Sequence, residues 1–138
     1  MKAMQHQPVE FSFTAAYPHA DPFRTVALSA VFTAPDGSQK TVPAFWAGGD
    51  CWRIRYSAAQ TGRHTFATVC SDTADAGLHG QTGAVEVAPY TGDNPLYRHG
   101  SITRRGGDRY LTHQDGTPFY WLGDTWWMAL TTRLRFPE

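Results

Sequence analysis

Glutamate is scarce in this chain of 138 residues: only Glu10, Glu86 and Glu138 occur. Acidic chemistry therefore falls almost wholly to aspartate, and an enzyme that needed a glutamate as acid or base would have little to choose from. Net charge is missing too, because twelve basic and twelve acidic residues cancel. That balance excludes the basic patch of a nucleic-acid binder and the block charge of an acidic tail. No apolar run approaches the roughly 18–20 residues of a membrane-spanning helix. The opening MKAMQHQPVEF lacks the apolar stretch of a secretory leader. The expectation is a cytoplasmic chain, or one whose natural start lies elsewhere.

Chemistry-bearing motifs are also few. The six histidines, at 6, 19, 64, 79, 99 and 113, form no helical i,i+4 pair, and neither CxxC nor HExxH occurs. No metal and no cofactor is expected, and the histidines read as surface or edge residues. There is no GxSxG elbow and no phosphate-binding loop; Gly106-Gly107-Asp108 reads as a hairpin turn.

What the chain does have is aromatics (14 %), thirteen glycines and nine prolines. The aromatics exclude disorder, and the frequent breakers suit short strands better than long helices. Residues 9–14 (VEFSFT) put Val9, Phe11 and Phe13 on one face. Residues 25–33 alternate through Val26, Leu28, Ala30 and Phe32. The turn at 34–38 (APDGS) leads to a strand over 40–46, and Gly48-Gly49-Asp50 turns again. In 51–57 (CWRIRYS), Trp52, Ile54 and Tyr56 face in while Arg53 and Arg55 face out. Residues 63–71 form its partner strand, 72–82 a polar loop, and 83–88 a last strand with Val85 and Val87 inward. No helical period stands out before residue 120. Six or seven short strands of this kind predict an immunoglobulin-like or fibronectin-like antiparallel β-sandwich over residues 1–90.

The two cysteines, Cys51 and Cys70, fall on strands expected to pair. Their phase opposes a disulfide, because Cys51 alternates outward against Trp52 while Cys70 shares the inward phase of Phe66. Free thiols fit a reducing compartment.

Residues 91–138 differ. A stretch rich in turn residues (89–95) reads as a linker. A hairpin follows about residues 105–108, then a second turn at 114–118. Residues 119–122 (FYWL) form a continuous apolar run, the pattern of a strand buried on both faces as in a parallel sheet or barrel. Residues 126–134 are the one helical candidate, with Asp124 or Thr125 as N-cap. Arg135-Phe136-Pro137-Glu138 then places proline and an acid where a helix would begin, as though an element were announced. Ligands of barrels and open α/β sheets bind at the C-terminal ends of strands. Asp124, Trp126 and Trp127 are therefore candidate sugar-binding residues, with indole faces for stacking and a carboxylate for hydroxyls. They read equally as a helix cap and two core indoles.

Several segments together resemble the N-terminal region of apiosidase-like glycoside hydrolases, the group that includes glycoside hydrolase family 140. They are DPF at 21–23, FTAPDG at 32–37, VPAFWAGGDCWRIRYS at 42–57 and TGRHTFATVCSD at 61–72. NPLYRHG at 94–100, RYLTHQDGTPFYWLGDTWW at 109–127 and TTRLRFPE at 131–138 follow. His64 departs from that pattern, where an aromatic is usual. The resemblance implies a small β-sandwich of unknown function, then a β-hairpin and the first strand of a truncated (β/α)8 barrel. It implies a parent enzyme that hydrolyses plant-type polysaccharide through a carboxylate pair supplied by later barrel strands. This chain then carries no catalytic residue. Its partners would be carbohydrate, through the parent enzyme, and the barrel against which the sandwich packs; neither nucleic acid nor membrane is implied. A carbohydrate-binding module is the alternative, with Trp46 and Trp52 as platforms.

Overall fold

Residues 1–123 and 125 are described in the computed structural model. They fall into two compact units, one spanning Met1–Ser101 and a second starting at Ile102.

The first unit is a β-sandwich. Its strands are β1 (Lys2–Met4), β2 (Val9–Thr14), β3 (Leu28–Thr33), β4 (Gln39–Pro43), β5 (Phe45–Gly48), β6 (Cys51–Tyr56), β7 (Gly62–Cys70) and β8 (Thr82–Ala88). Single helical turns occur at α1 (Pro22–Thr25) and α2 (Pro95–Arg98). Five strands form one sheet in the order β1-β8-β7-β3-β4, and three form the other in the order β2-β6-β5. All pairs are antiparallel except β1 with β8, which run parallel.

Alternation in sequence becomes alternation in burial. Trp52, Ile54 and Tyr56 of β6 are buried while Arg53 and Arg55 are exposed. In β7 every second residue from His64 to Cys70 is buried. The inward residues of both sheets meet in one cluster, including Phe11, Phe32, Ile54, Tyr56, Phe66, Val85 and Val87. Rings fill it: Phe32 stacks on Tyr56 with centroids 3.8 Å apart, and Phe11 meets Phe66 edge-on at 4.8 Å. Gly83 is required beneath Phe66, because a Cβ there would approach the ring to 2.6 Å. A second cluster, Val26, Leu28, Trp52, Cys70 and Leu78, occupies the other end.

Several expectations need correction. The strand expected over 40–46 is two strands in different sheets. The chain leaves the β3 ladder at Ala44, whose N–H still bonds Leu28 O at 2.9 Å, and Phe45 then pairs with Arg53. Residues 63–71 do not pair with 51–57: β7 lies between β3 and β8, whereas β6 lies between β2 and β5. A short link allows either a hairpin or a crossing, and periodicity gives the inward face without naming the neighbour. The thiols are free, with Cys51 half-buried and Cys70 buried, but they also lie in different sheets. The strand expected from Thr25 begins at Leu28, because Asp21-Pro22 starts a helical turn that Thr25 Oγ1 closes on Asp21 O at 2.6 Å.

The second unit opens with three short strands, β9 (Ile102–Thr103), β10 (Leu111–His113) and β11 (Pro118–Phe119), in the order β11-β10-β9. The expected hairpin and second turn are both present. The apolar run does not continue as a buried strand. Pairing stops at Phe119, and Tyr120, Trp121 and Leu122 are 84 %, 69 % and 83 % exposed. Among the described residues no strand pairs with them. The helical candidate over 126–134 lies outside the described residues, as do Asp124, Trp126 and Trp127. No helix among the described residues is long and apolar enough to cross a membrane.

Candidate functional site

Of the two candidate platforms, Trp52 is core, at 3 % exposure. Trp46 sits opposite it in the β5–β6 ladder, at the sheet edge, and is 37 % exposed. Its indole is fixed by an Nε1–H bond to Gly49 O at 2.8 Å. Neighbouring Phe45 points to the other face, where the Arg55 guanidinium lies 4.9 Å from its ring. Arg53 and Arg55 share Glu10 at 3.0 and 2.9 Å.

Four carboxylates are engaged by the chain itself. The Arg55 hydrogen bond, with Arg53 beside it, holds Glu10 below its usual range. Ser38 and Gln60 donate to Asp36 and hold it at about 2. The Tyr17 hydroxyl donates to Asp72 at 2.6 Å, which lowers Asp72 and pushes Tyr17 up to about 12. Asp75 is fully buried in the loop after β7. Burial pushes its carboxyl up, yet the N–H groups of Ala16, Gly77 and Leu78 and the His19 ring together hold it below the usual value. A general acid of glycoside hydrolysis needs the opposite displacement. Sequence reading passed over Asp75 as part of a polar loop. The signal was the Asp75-Ala76-Gly77 spacing, since aspartate often bonds the backbone two residues on.

Two histidines overturn the expectation of surface positions. His64 is 1 % exposed and His113 is 4 % exposed. His64 Nε2 lies 2.9 Å from Gln60 O, a carbonyl that can only accept, so the ring carries its proton there. Nδ1 then accepts from the Tyr56 hydroxyl at 2.9 Å. Burial pushes the Tyr56 phenol above its ordinary value, which keeps that donor in place. An inward position on a strand therefore takes a histidine because both ring nitrogens find partners.

Above this pair lies a cavity of about 180 Å³. Phe32, Tyr56 and His64 form its buried lining, and His6, Lys40 and Gln60 stand among its exposed or half-exposed walls. Among the described residues no group of three or more metal-ligating side chains occurs.

The first unit is thus a β-sandwich in which Glu10, Asp36, Asp72 and Asp75 are tied into its own hydrogen bonds. Residues 2–71 match the model of the domain of unknown function DUF5060, and the chain belongs to that family. Residues 105–138 match the apiosidase-like catalytic domain. Among solved structures, the chain is similar to a candidate glycoside hydrolase from Bacteroides vulgatus, at 30% identity and a TM-score of 0.69. The match covers 86% of this chain and 21% of that one, so this chain spans about a fifth of its relative's length. No curated protein matches the chain.

Proposed function

We propose that this chain is the N-terminal accessory domain and barrel start of a glycoside hydrolase acting on plant-type polysaccharide. The observation that carries this reading is the order of the two family matches, sandwich first and apiosidase-like catalytic segment second. The sheet order supports an immunoglobulin-like sandwich over residues 1–90. Strands β2-β6-β5 follow the B-E-D pattern, and β8-β7-β3-β4 follow G-F-C-C′. Residues 91–138 are then linker, hairpin and first barrel strand, with Asp124, Trp126 and Trp127 lining the sugar site. The exposure of Tyr120, Trp121 and Leu122 supports a segment whose cover is supplied by further barrel elements. The sandwich serves as a structural partner of that barrel.

The test compares two polypeptides on pectic and hemicellulosic glycans. The 138-residue chain releases no reducing sugar, whereas a polypeptide carrying the complete barrel does. Hydrolysis by the short chain, with host enzymes excluded, overturns the proposal. Trp46 favours a second reading, a glycan-binding module, because its indole is both exposed and fixed. Polysaccharide pull-down that is lost in Trp46→Ala supports it; no retention on any glycan removes it.

A further inference from the structure

We infer that the cavity between β4, β6 and the His6 loop is a binding site for a carboxylated sugar ring, a hexuronate unit. Lys40 carries the argument furthest. It pairs with Phe32 in the β3–β4 ladder, and directly opposed residues of antiparallel strands share a face. Phe32 is core, so the lysine lies in the inward register of an apolar sandwich. It makes no hydrogen bond or ion pair among the described residues, and it lines the cavity. The nearby carboxylate, Asp36, is not part of the lining. It is occupied by Ser38 N at 2.9 Å, Ser38 Oγ at 2.6 Å and Gln60 Nε2 at 2.6 Å.

A second basic group faces the same space. His6 has φ of 64°, the one non-glycine residue with positive φ among the described residues. Its N–H bonds Ala58 O at 2.8 Å, and Ser57 Oγ donates to its carbonyl at 2.8 Å. The backbone around a strained residue over-determines it, and such residues gather at ligand clamps. The imidazole itself has no partner among the described residues.

The remaining lining suits a hydroxylated ring. The floor is the stacked Phe32–Tyr56 pair, neutral and rigid. The Tyr56 oxygen is engaged with His64 in a buried hydrogen bond, which fixes the ring beneath the cavity. The volume of about 180 Å³ takes one ring and no more. Two basic groups over an aromatic floor select an anion with an apolar face, and the sugar identity of that anion rests on the polysaccharide reading above.

Calorimetric titration of the 138-residue chain with galacturonate, galactose and acetate tests the inference. Galacturonate is expected to bind, with galactose and acetate each weaker by about tenfold or more, the worth of one charge-assisted hydrogen bond or of a ring contact. Lys40→Thr is expected to cost about tenfold, and salt near 0.5 M to weaken binding further. His6→Gly removes the imidazole where glycine accepts the positive φ, and is expected to weaken binding without loss of fold, checked by near-ultraviolet circular dichroism. Equal affinity for galactose, equal affinity for acetate, no binding, or full affinity in Lys40→Thr overturns the proposal. In the last case Lys40 only guards the edge of its sheet. Hydrolysis by the complete enzyme is scored separately, so an empty cavity leaves the parent activity standing, and an inactive parent leaves the cavity standing.

Discussion

The two ends of the sandwich bury the same kind of pair and use it differently. At one end His19 bonds Asp75 at 2.9 Å, and three backbone N–H groups complete the carboxylate. The loop is sealed there by Leu78, fully buried, and by Thr68, whose hydroxyl donates to Leu78 O at 2.6 Å. At the other end His64 bonds Tyr56, and both line a cavity. At the first end the Asp75 carboxylate is saturated by the chain itself, although the buried Trp52 Nε1 of the same cluster has no partner among the described residues. The other end leaves two basic side chains, Lys40 and His6, for something else. Saturation of the Asp75 carboxylate marks a structural clasp, and Lys40 and His6, with side chains that have no partners among the described residues, mark the proposed place for a ligand.

Mutation can break this contrast. Asp75→Ala should have the largest effect, about 3–4 kcal/mol in urea denaturation, because three backbone donors, one buried and two part-buried, and the His19 ring lose their acceptor together. Leu78→Ala should cost about 3 kcal/mol, the usual range for a buried leucine. A loss below about 1 kcal/mol would show that the loop is not part of the core. Tyr56→Phe should cost only about 1–2 kcal/mol, since one hydrogen bond goes and the ring packing stays. If it cost more than Asp75→Ala, the assignment of clasp and cavity floor would be reversed.

Acid sharpens the same comparison. Asp75 is held below the usual carboxylate range in the folded protein by its backbone and His19 hydrogen bonds. A depressed carboxylate adds stability above the unfolded value, and that stability is lost as pH falls through the lower folded one. The stability gap between the protein and Asp75→Asn should therefore be full near neutrality and shrink below about pH 4. A gap that is flat down to pH 2 would remove the charged clasp. The smallest effect is expected at Glu10→Gln on the solvent face, where the thermal midpoint should not move measurably.

Much of the sandwich was legible in the sequence because burial follows alternation. Trp52, Ile54 and Tyr56, Val85 and Val87, and the shared phase of Phe66 and Cys70 could all be read residue by residue. Pairing could not, since period two names a face and not a neighbour; β7 was therefore set beside the wrong strand. Ala44 was missed for a related reason, because a small residue that lets the chain change sheets leaves no break in the pattern. His64 and Asp75 were misread because their polarity is answered by distant groups, the Tyr56 hydroxyl and the Ala16 N–H. The cavity was invisible for the same cause: Lys40 looks like any surface lysine until its register with Phe32 is known. The proposed sugar residues Asp124, Trp126 and Trp127 rest on their place after the apolar run and on the resemblance, and lie outside the described residues.

The parallel pairing of β1 with β8 has a kinetic consequence. Lys2 meets Glu86, and Met4 meets Ala88, across more than eighty residues of chain. Contacts so remote in sequence form late, because the loop they close must first be ordered. During synthesis, at roughly 5–20 residues per second, the first strand waits several seconds for its partner to be made. His6 lies two residues beyond that strand, but its backbone is held by Ala58 O and Ser57 Oγ, so the cavity can form without β8. The first strand is thus the piece of the sandwich that must wait longest, and it closes the sheet edge after the rest of the chain has been made.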